Sequence, residues 1–167
     1  MKWVAISGSW RTTNQQVEDD VRAHVSTIIK KGDGIVTGGA LGVDFIATDE
    51  VLKHDPLAQS IKIILPTPLT VYRSHYLQKA QEGIITMTQA TKLVVQLESV
   101  QKSSPRSLIE MFYTACNPQT YYARNTAVLD AASELLAFQV NDSHGTQDTI
   151  DKARALGYPV QHIKYKI

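Results

Sequence analysis

Three glycine-bearing turns carry most of the chemistry that this sequence offers: Ser7-Gly8-Ser9, Gly38-Gly39-Ala40-Leu41-Gly42 and His144-Gly145-Thr146. Each follows a short apolar run. Ser7, Ser9, Thr37, Thr146 and Thr149 add hydroxyls in or beside the turns. Free backbone N–H groups and hydroxyls are donors, and a phosphate offers acceptors only, so the match is to an anion. Glycine is required where a turn needs positive φ or where a ligand must touch the backbone. Arg124 can pair bidentately with a phosphate or carboxylate, and Arg11 is a second candidate contact. Asn125 can hold a base or ribose. Asp44, two residues past the second turn, either binds a ribose hydroxyl or caps the helix that begins there; the sequence leaves both open.

Other chemistries are poorly served. Neither the dinucleotide fingerprint nor the P-loop is present, and no lysine follows the glycines to reach a γ-phosphate. Hydride transfer with a nicotinamide cofactor is disfavoured, and no cofactor is expected. The histidines at 24, 54, 75, 144 and 162 lack metal-ligand spacing, so no metal site is expected. His144 alone falls on the candidate ligand edge. Cys116 is the only cysteine, which excludes an intramolecular disulfide and a cysteine-based zinc site. No base stands near it in sequence, and it reads as a packing residue. No catalytic residue is assigned.

These turns need a scaffold. Trp3 to Ser7 reads as a strand buried on both faces, as in a parallel sheet. Val17, Val21, Val25, Ile28 and Ile29 form one apolar helical stripe that Gly32 and Gly34 stop. Ile35 to Thr37 is a second strand, followed by the glycine turn and a helix to about His54. Ile61 to Leu65 is a third strand, ended by Pro66 and Pro68. This β-α-β-α-β order closes most naturally as a parallel sheet with helical crossovers. Residues 67–122 give no firm assignment; Leu93 to Leu97 fits a strand or a buried helical turn equally. A helix over Ala123 to Ser133 follows, with Arg124-Asn125 at its start. Then come a strand over Leu135 to Val140, a helix from Thr149 to Leu156 and a last strand from Val160. The fold class expected is α/β, a Rossmann-like three-layer sandwich, mainly parallel, with helices on both faces. One domain over residues 1–167 is expected.

The size of 167 residues supports one full core, and the net charge of +1 neither requires nor excludes a polyanion. No apolar run approaches the ~20 residues that span a bilayer, and the N-terminus does not look like a signal peptide. With the lone cysteine, this fits a cytoplasmic protein without a membrane partner.

The motifs resemble a known family. Ile6-Ser7-Gly8-Ser9, and then Ile35-Val36-Thr37-Gly38-Gly39-Ala40-Leu41-Gly42-Val43-Asp44 with Ala47 downstream, resemble the DprA/Smf-like Rossmann domain of the SLOG superfamily. Ile64-Leu65-Pro66, Arg124-Asn125 and Gly145-Thr146 resemble later landmarks of that family. Relatives include the LOG phosphoribohydrolases and molybdenum-cofactor-carrier-like proteins. The resemblance implies a nucleotide or nucleic-acid phosphate at Gly8, Ser9, Gly38, Gly39, Gly42, Asp44, Arg124, Asn125, Gly145 and Thr146. Trp10 departs from the pattern, standing where the family has arginine, with Arg11 one position later. Thr149 replaces the glutamate that LOG enzymes need for glycosidic cleavage, although Asp148 is adjacent.

The leading expectation is therefore a phosphate-bearing nucleotide, or a nucleotide-like small molecule, held at the glycine-rich edge. Alternatives are a LOG-like nucleoside-monophosphate glycosidase using Asp148 or Asp44, and a DprA-like module on single-stranded DNA. A homodimer is expected by analogy with the fold class alone.

Overall fold

A computed structural model describes residues 1–167. The elements run β1 (Trp3–Gly8), α1 (Gln15–Lys30), β2 (Gly34–Thr37), α2 (Val43–His54), β3 (Ile61–Leu65), α3 (Leu69–Gln81), α4 (Met87–Ser103), a short 3-10 turn (Pro105–Ser107), β4 (Leu108–Glu110), α5 (Pro118–Asp130), β5 (Glu134–Val140), α6 (His144–Ala155) and β6 (Val160–Tyr165). The six strands form one sheet in the order β4-β3-β2-β1-β5-β6, every pair parallel. The chain is an α/β Rossmann-like fold.

β1 is central because its residues are apolar on both sides. It registers Val4 against Ile35 of β2 and against Glu134 of β5. Val4 and Ile6 face the larger core of 27 buried residues, while Ala5 faces the smaller core of 9. That alternation is the period-two rule of a strand covered on both faces. Helices α1 to α4 cover the first face, and α5 and α6 cover the second.

The α1 stripe forms as its spacing requires. Val17, Val21 and Val25 are wholly buried, each contributing roughly 1.5–3 kcal/mol of apolar burial. Asn14 caps the helix by accepting from the Val17 amide at 3.0 Å.

The stretch that the sequence leaves open contains two helices and a strand. Leu93 to Leu97 belongs to α4, whose Ala90, Leu93, Leu97 and Val100 are fully buried at three- and four-residue spacing. The Ile84-Ile85-Thr86 run that weakens a single-helix reading is the link between two helices. Thr86 caps α4 in a reciprocal box with Gln89. β4 adds an edge strand that the sequence does not announce, because only three residues pair.

Two helix boundaries need correction. α5 starts at Pro118, not near Ala123: Asn117 accepts from the Thr120 amide, and proline occupies the first turn. Arg124 therefore stands in mid-helix rather than at a helix start. α6 starts at His144 rather than Thr149, so Gly145 and Thr146 lie in its first turn.

Strand order reverses at β1. β2, β3 and β4 lie to one side of it, and β5 and β6 to the other. In open parallel sheets, the crevice beyond the carboxyl ends of the strands at such a reversal is where ligands bind. No helix is long and apolar enough to cross a membrane.

Candidate functional site

A cleft of about 830 Å³ opens at that reversal. The turns after β1, β2 and β5 all border it. Gly8, Ser9 and Arg11 line it from the first turn, Gly38 and Asp44 from the second, and Gly145, Thr146 and Thr149 from the third. α5 contributes Arg124 and Asn125. Thus ten of the twelve residues expected at the site converge there. Gly39 and Gly42 do not line it. A side chain on Gly39 would point at Leu65 and Ile63 in the core. Gly42 has φ of 71° and lies so close to the Ser9 carbonyl that no Cβ fits between them. The Val43 amide also donates to Ser9 O at 2.9 Å. Gly42 thus locks the first two turns together instead of presenting an open amide.

The β2 turn already holds an anion of its own. Oδ2 of Asp44 accepts from the amides of Gly38, at 3.1 Å, and Ala40, at 3.2 Å. The carboxylate thus bonds backwards into the glycine turn and not to the helix that it opens. The expectation that Gly38, Gly39 and Gly42 contact a phosphate directly is corrected accordingly: Asp44 takes the Gly38 amide, and the other two glycines face elsewhere. Burial pushes the Asp44 carboxyl above its ordinary value, while the Arg124 charge and the two amides pull it back.

The β5 turn is different. The amides of His144, Gly145 and Thr146 hydrogen-bond to no group of the protein; the first α6 bond is Gln147 N to Ser143 O at 3.0 Å. Nothing stands within 4 Å of the place a Gly145 side chain would occupy. Ser143 Oγ donates to Thr146 Oγ1 at 2.7 Å, and Thr149 Oγ1 donates to Gly145 O at 3.2 Å. The positive end of the α6 dipole therefore faces open space beside the cleft.

α5 joins the two turns. Arg124, only 8% exposed, donates through Nη1 to the Gly38 carbonyl and through Nε to Asn125 Oδ1 at 3.2 Å. Asn125 in turn donates to Gly145 O at 3.4 Å. Arg124 takes part in none of the protein's ion pairs. Its Nη2 has no partner in the protein, yet no buried side-chain nitrogen is orphaned, so Nη2 opens to the cleft. Burial, the largest influence, opposes the charge; Tyr72 and then Asp44 oppose burial, and the net direction of the pKa is upward. Arg11 is exposed at the mouth, its guanidinium 5.5 Å from the Trp10 ring centroid.

Sequence reasoning missed an aromatic wall. His75 and Tyr76 of α3, Tyr121 of α5 and Trp10 line the cleft. Trp10 meets Tyr76 edge to face with centroids 6.4 Å apart, and the Tyr121 hydroxyl lies 3.1 Å from His75 Nε2. Behind them the Tyr72 hydroxyl donates to Gly39 O at 3.0 Å and pins the β2 turn. Burial drives the Tyr76 hydroxyl up to about 12, so it stays neutral. The only advance signal was the density of tyrosine and histidine from Tyr72 to Tyr76, in a segment whose helix was itself unread.

Asp148 is outside the cleft lining and bonds Lys152 at 2.9 Å and Asn125 at 3.3 Å. His144 lines the cleft at the start of α6. Cys116 also lines it, with a thiol raised chiefly by burial. No group of three or more His, Cys, Asp or Glu is placed to hold a metal ion.

The sequence matches no family model, and no curated protein matches it. Solved structures do. DNA processing protein A from Helicobacter pylori superposes with a TM-score of 0.69 at 22% identity, over 96% of this chain and 64% of that one. The fold is a DprA-like Rossmann fold. The TM1055 structure aligns at 0.57 and 19% identity, over 96% of this chain and 72% of that one. DprA from Streptococcus pneumoniae aligns at 0.50 and 15%, over 96% and 58%. This chain thus spans less than two thirds of the length of either DNA processing protein. The Helicobacter pylori structure is described by its single-stranded DNA binding mode.

Proposed function

We propose that the cleft binds a phosphate-bearing nucleotide, with the phosphate at the start of α6 and against Arg124. Arg124 carries this reading. A buried guanidinium without a carboxylate partner is costly unless an anion completes it, and its free nitrogen opens to the same cleft that the Gly145 and Thr146 amides border. Ser9 and Arg11 line the same cleft, and the aromatic side chains offer surfaces on which a base can stack. The cleft also holds Lys79, so its cations outnumber its single carboxylate, Asp44.

Titration calorimetry with nucleoside monophosphates tests the reading. Saturable binding that inorganic phosphate competes away supports it; no heat with any nucleotide counts against it. Free base released in the same samples would reveal glycosidic cleavage. The engagement of Asp148 by Lys152 and its place outside the cleft weigh against that acid.

The fold likeness to DNA processing protein A favours a second reading, in which the phosphate belongs to single-stranded nucleic acid. Affinity for an oligonucleotide should then fall steeply with salt as counterions are released.

A further inference from the structure

Asp44 has only half of its hydrogen-bonding capacity committed. Both bonds from Gly38 and Ala40 arrive at Oδ2, and Oδ1 accepts nothing from the protein. The residue is 7% exposed. No side-chain oxygen or nitrogen is both sealed from solvent and unpartnered. Oδ1 is therefore the edge of the carboxylate that faces the cleft it lines.

An ionised carboxylate oxygen accepts hydrogen bonds and donates none. It repels a phosphate and attracts a hydroxyl. The order along the cleft is set by α5, which touches Gly145 through Asn125 and Gly38 through Arg124. In a nucleotide the sugar is bonded directly to the phosphate. A phosphate held between the α6 amides and Arg124 Nη2 therefore puts its directly bonded sugar against the β2 turn. Asp44 waits there with one open acceptor, held rigidly by two backbone amides.

We infer that Asp44 reads the sugar, accepting a hydrogen bond from a ribose hydroxyl, so that the cleft prefers a ribonucleotide to its deoxy counterpart. The inference rests on the phosphate site proposed above. It separates that site's two ligand classes, because an internal residue of single-stranded DNA has no 2′-hydroxyl and its 3′-oxygen is esterified.

The test is calorimetric titration of the protein with AMP, 2′-deoxy-AMP, 3′-deoxy-AMP and inorganic phosphate, the first two repeated as the cytidine pair. A hydrogen bond to a charged acceptor makes at least one deoxy form about tenfold weaker or more. Equal affinity for all three adenosine nucleotides overturns the sugar reading and leaves the phosphate site standing. Failure of both AMP and phosphate to bind removes the phosphate site, and this inference with it. In D44N an amide oxygen still accepts from Gly38 and Ala40, while an NH2 replaces the open acceptor. Discrimination should then shrink to within about threefold; discrimination that survives D44N overturns the assignment to this residue. Where D44N fails to fold, the ligand series on the unaltered protein decides.

Discussion

Arg124 donates through Nη1 to the carbonyl of Gly38, a residue 86 positions earlier. By that contact the second-layer helix α5 reaches across the carboxyl end of the sheet and fixes a cation beside the β2 turn. The guanidinium also sits where any Gly38 side chain would have to go, so glycine there is a packing requirement of the arginine.

R124M keeps the bulk of the side chain and removes its donors. The Gly38 carbonyl loses its bond, and unfolding in urea should show a loss of about 1–3 kcal/mol. Nucleotide binding should vanish altogether in the same folded variant. R124K retains the charge without the fork and should bind about tenfold more weakly. A variant that binds normally with methionine at this position would show that the cation is structural only.

Gly42 and Gly145 should respond oppositely to alanine. At Gly42 a Cβ meets the Ser9 carbonyl at positive φ, so G42A should cost about 1–3 kcal/mol from the backbone alone. At Gly145 nothing is near and φ is ordinary, so G145A should leave the melting temperature unchanged or slightly raised. Its methyl group still crowds the open amides, and phosphate affinity should drop several-fold.

His75 sets a pH signature. Burial, and after it the charge of Lys79, lower its pKa below 6.5. The unfolded chain then holds that proton more tightly than the folded one. The stability linked to neutral His75 is complete above 6.5 and is lost as pH falls from there toward the folded value. Melting temperatures of the unaltered protein should decline relative to H75Q between about pH 8 and pH 5. Parallel curves would show that His75 does not titrate differently on folding.

Trp10 offers an optical report. It borders the cleft and packs edge-on against Tyr76. Trp3, the other tryptophan, stands at the start of β1 with Lys62 over its ring at 4.0 Å. In W3F, AMP should change the remaining emission and inorganic phosphate should change it much less, because only a base can stack on the wall.

The scaffold was readable from local pattern. The β1, β2, β3 and β5 runs are apolar because both faces of a parallel sheet are covered, and the Val17-Val21-Val25 stripe is apolar because one face of α1 is. The convergence of three turns was readable because parallel strands put all their carboxyl ends on one edge. The state of each turn was not. That Asp44 folds back onto the Gly38 and Ala40 amides depends on a bend its spacing does not encode. The depth of Arg124 was hidden by the Asn117-Pro118 start of α5, which lies in the unread stretch. The aromatic wall was hidden too, since α3 buries only Leu69, Tyr72 and Tyr76 and so lacks a broad apolar stripe.

The most direct measurement is a two-dimensional amide NMR titration of the labelled protein with AMP. The Gly145 and Thr146 amides and the Arg124 Nε–H should shift first and saturate together, while the Gly38 and Ala40 amides, already bonded to Asp44, should move less. Resonances that stay still at the start of α6, or shifts confined to a surface remote from the cleft, would contradict it.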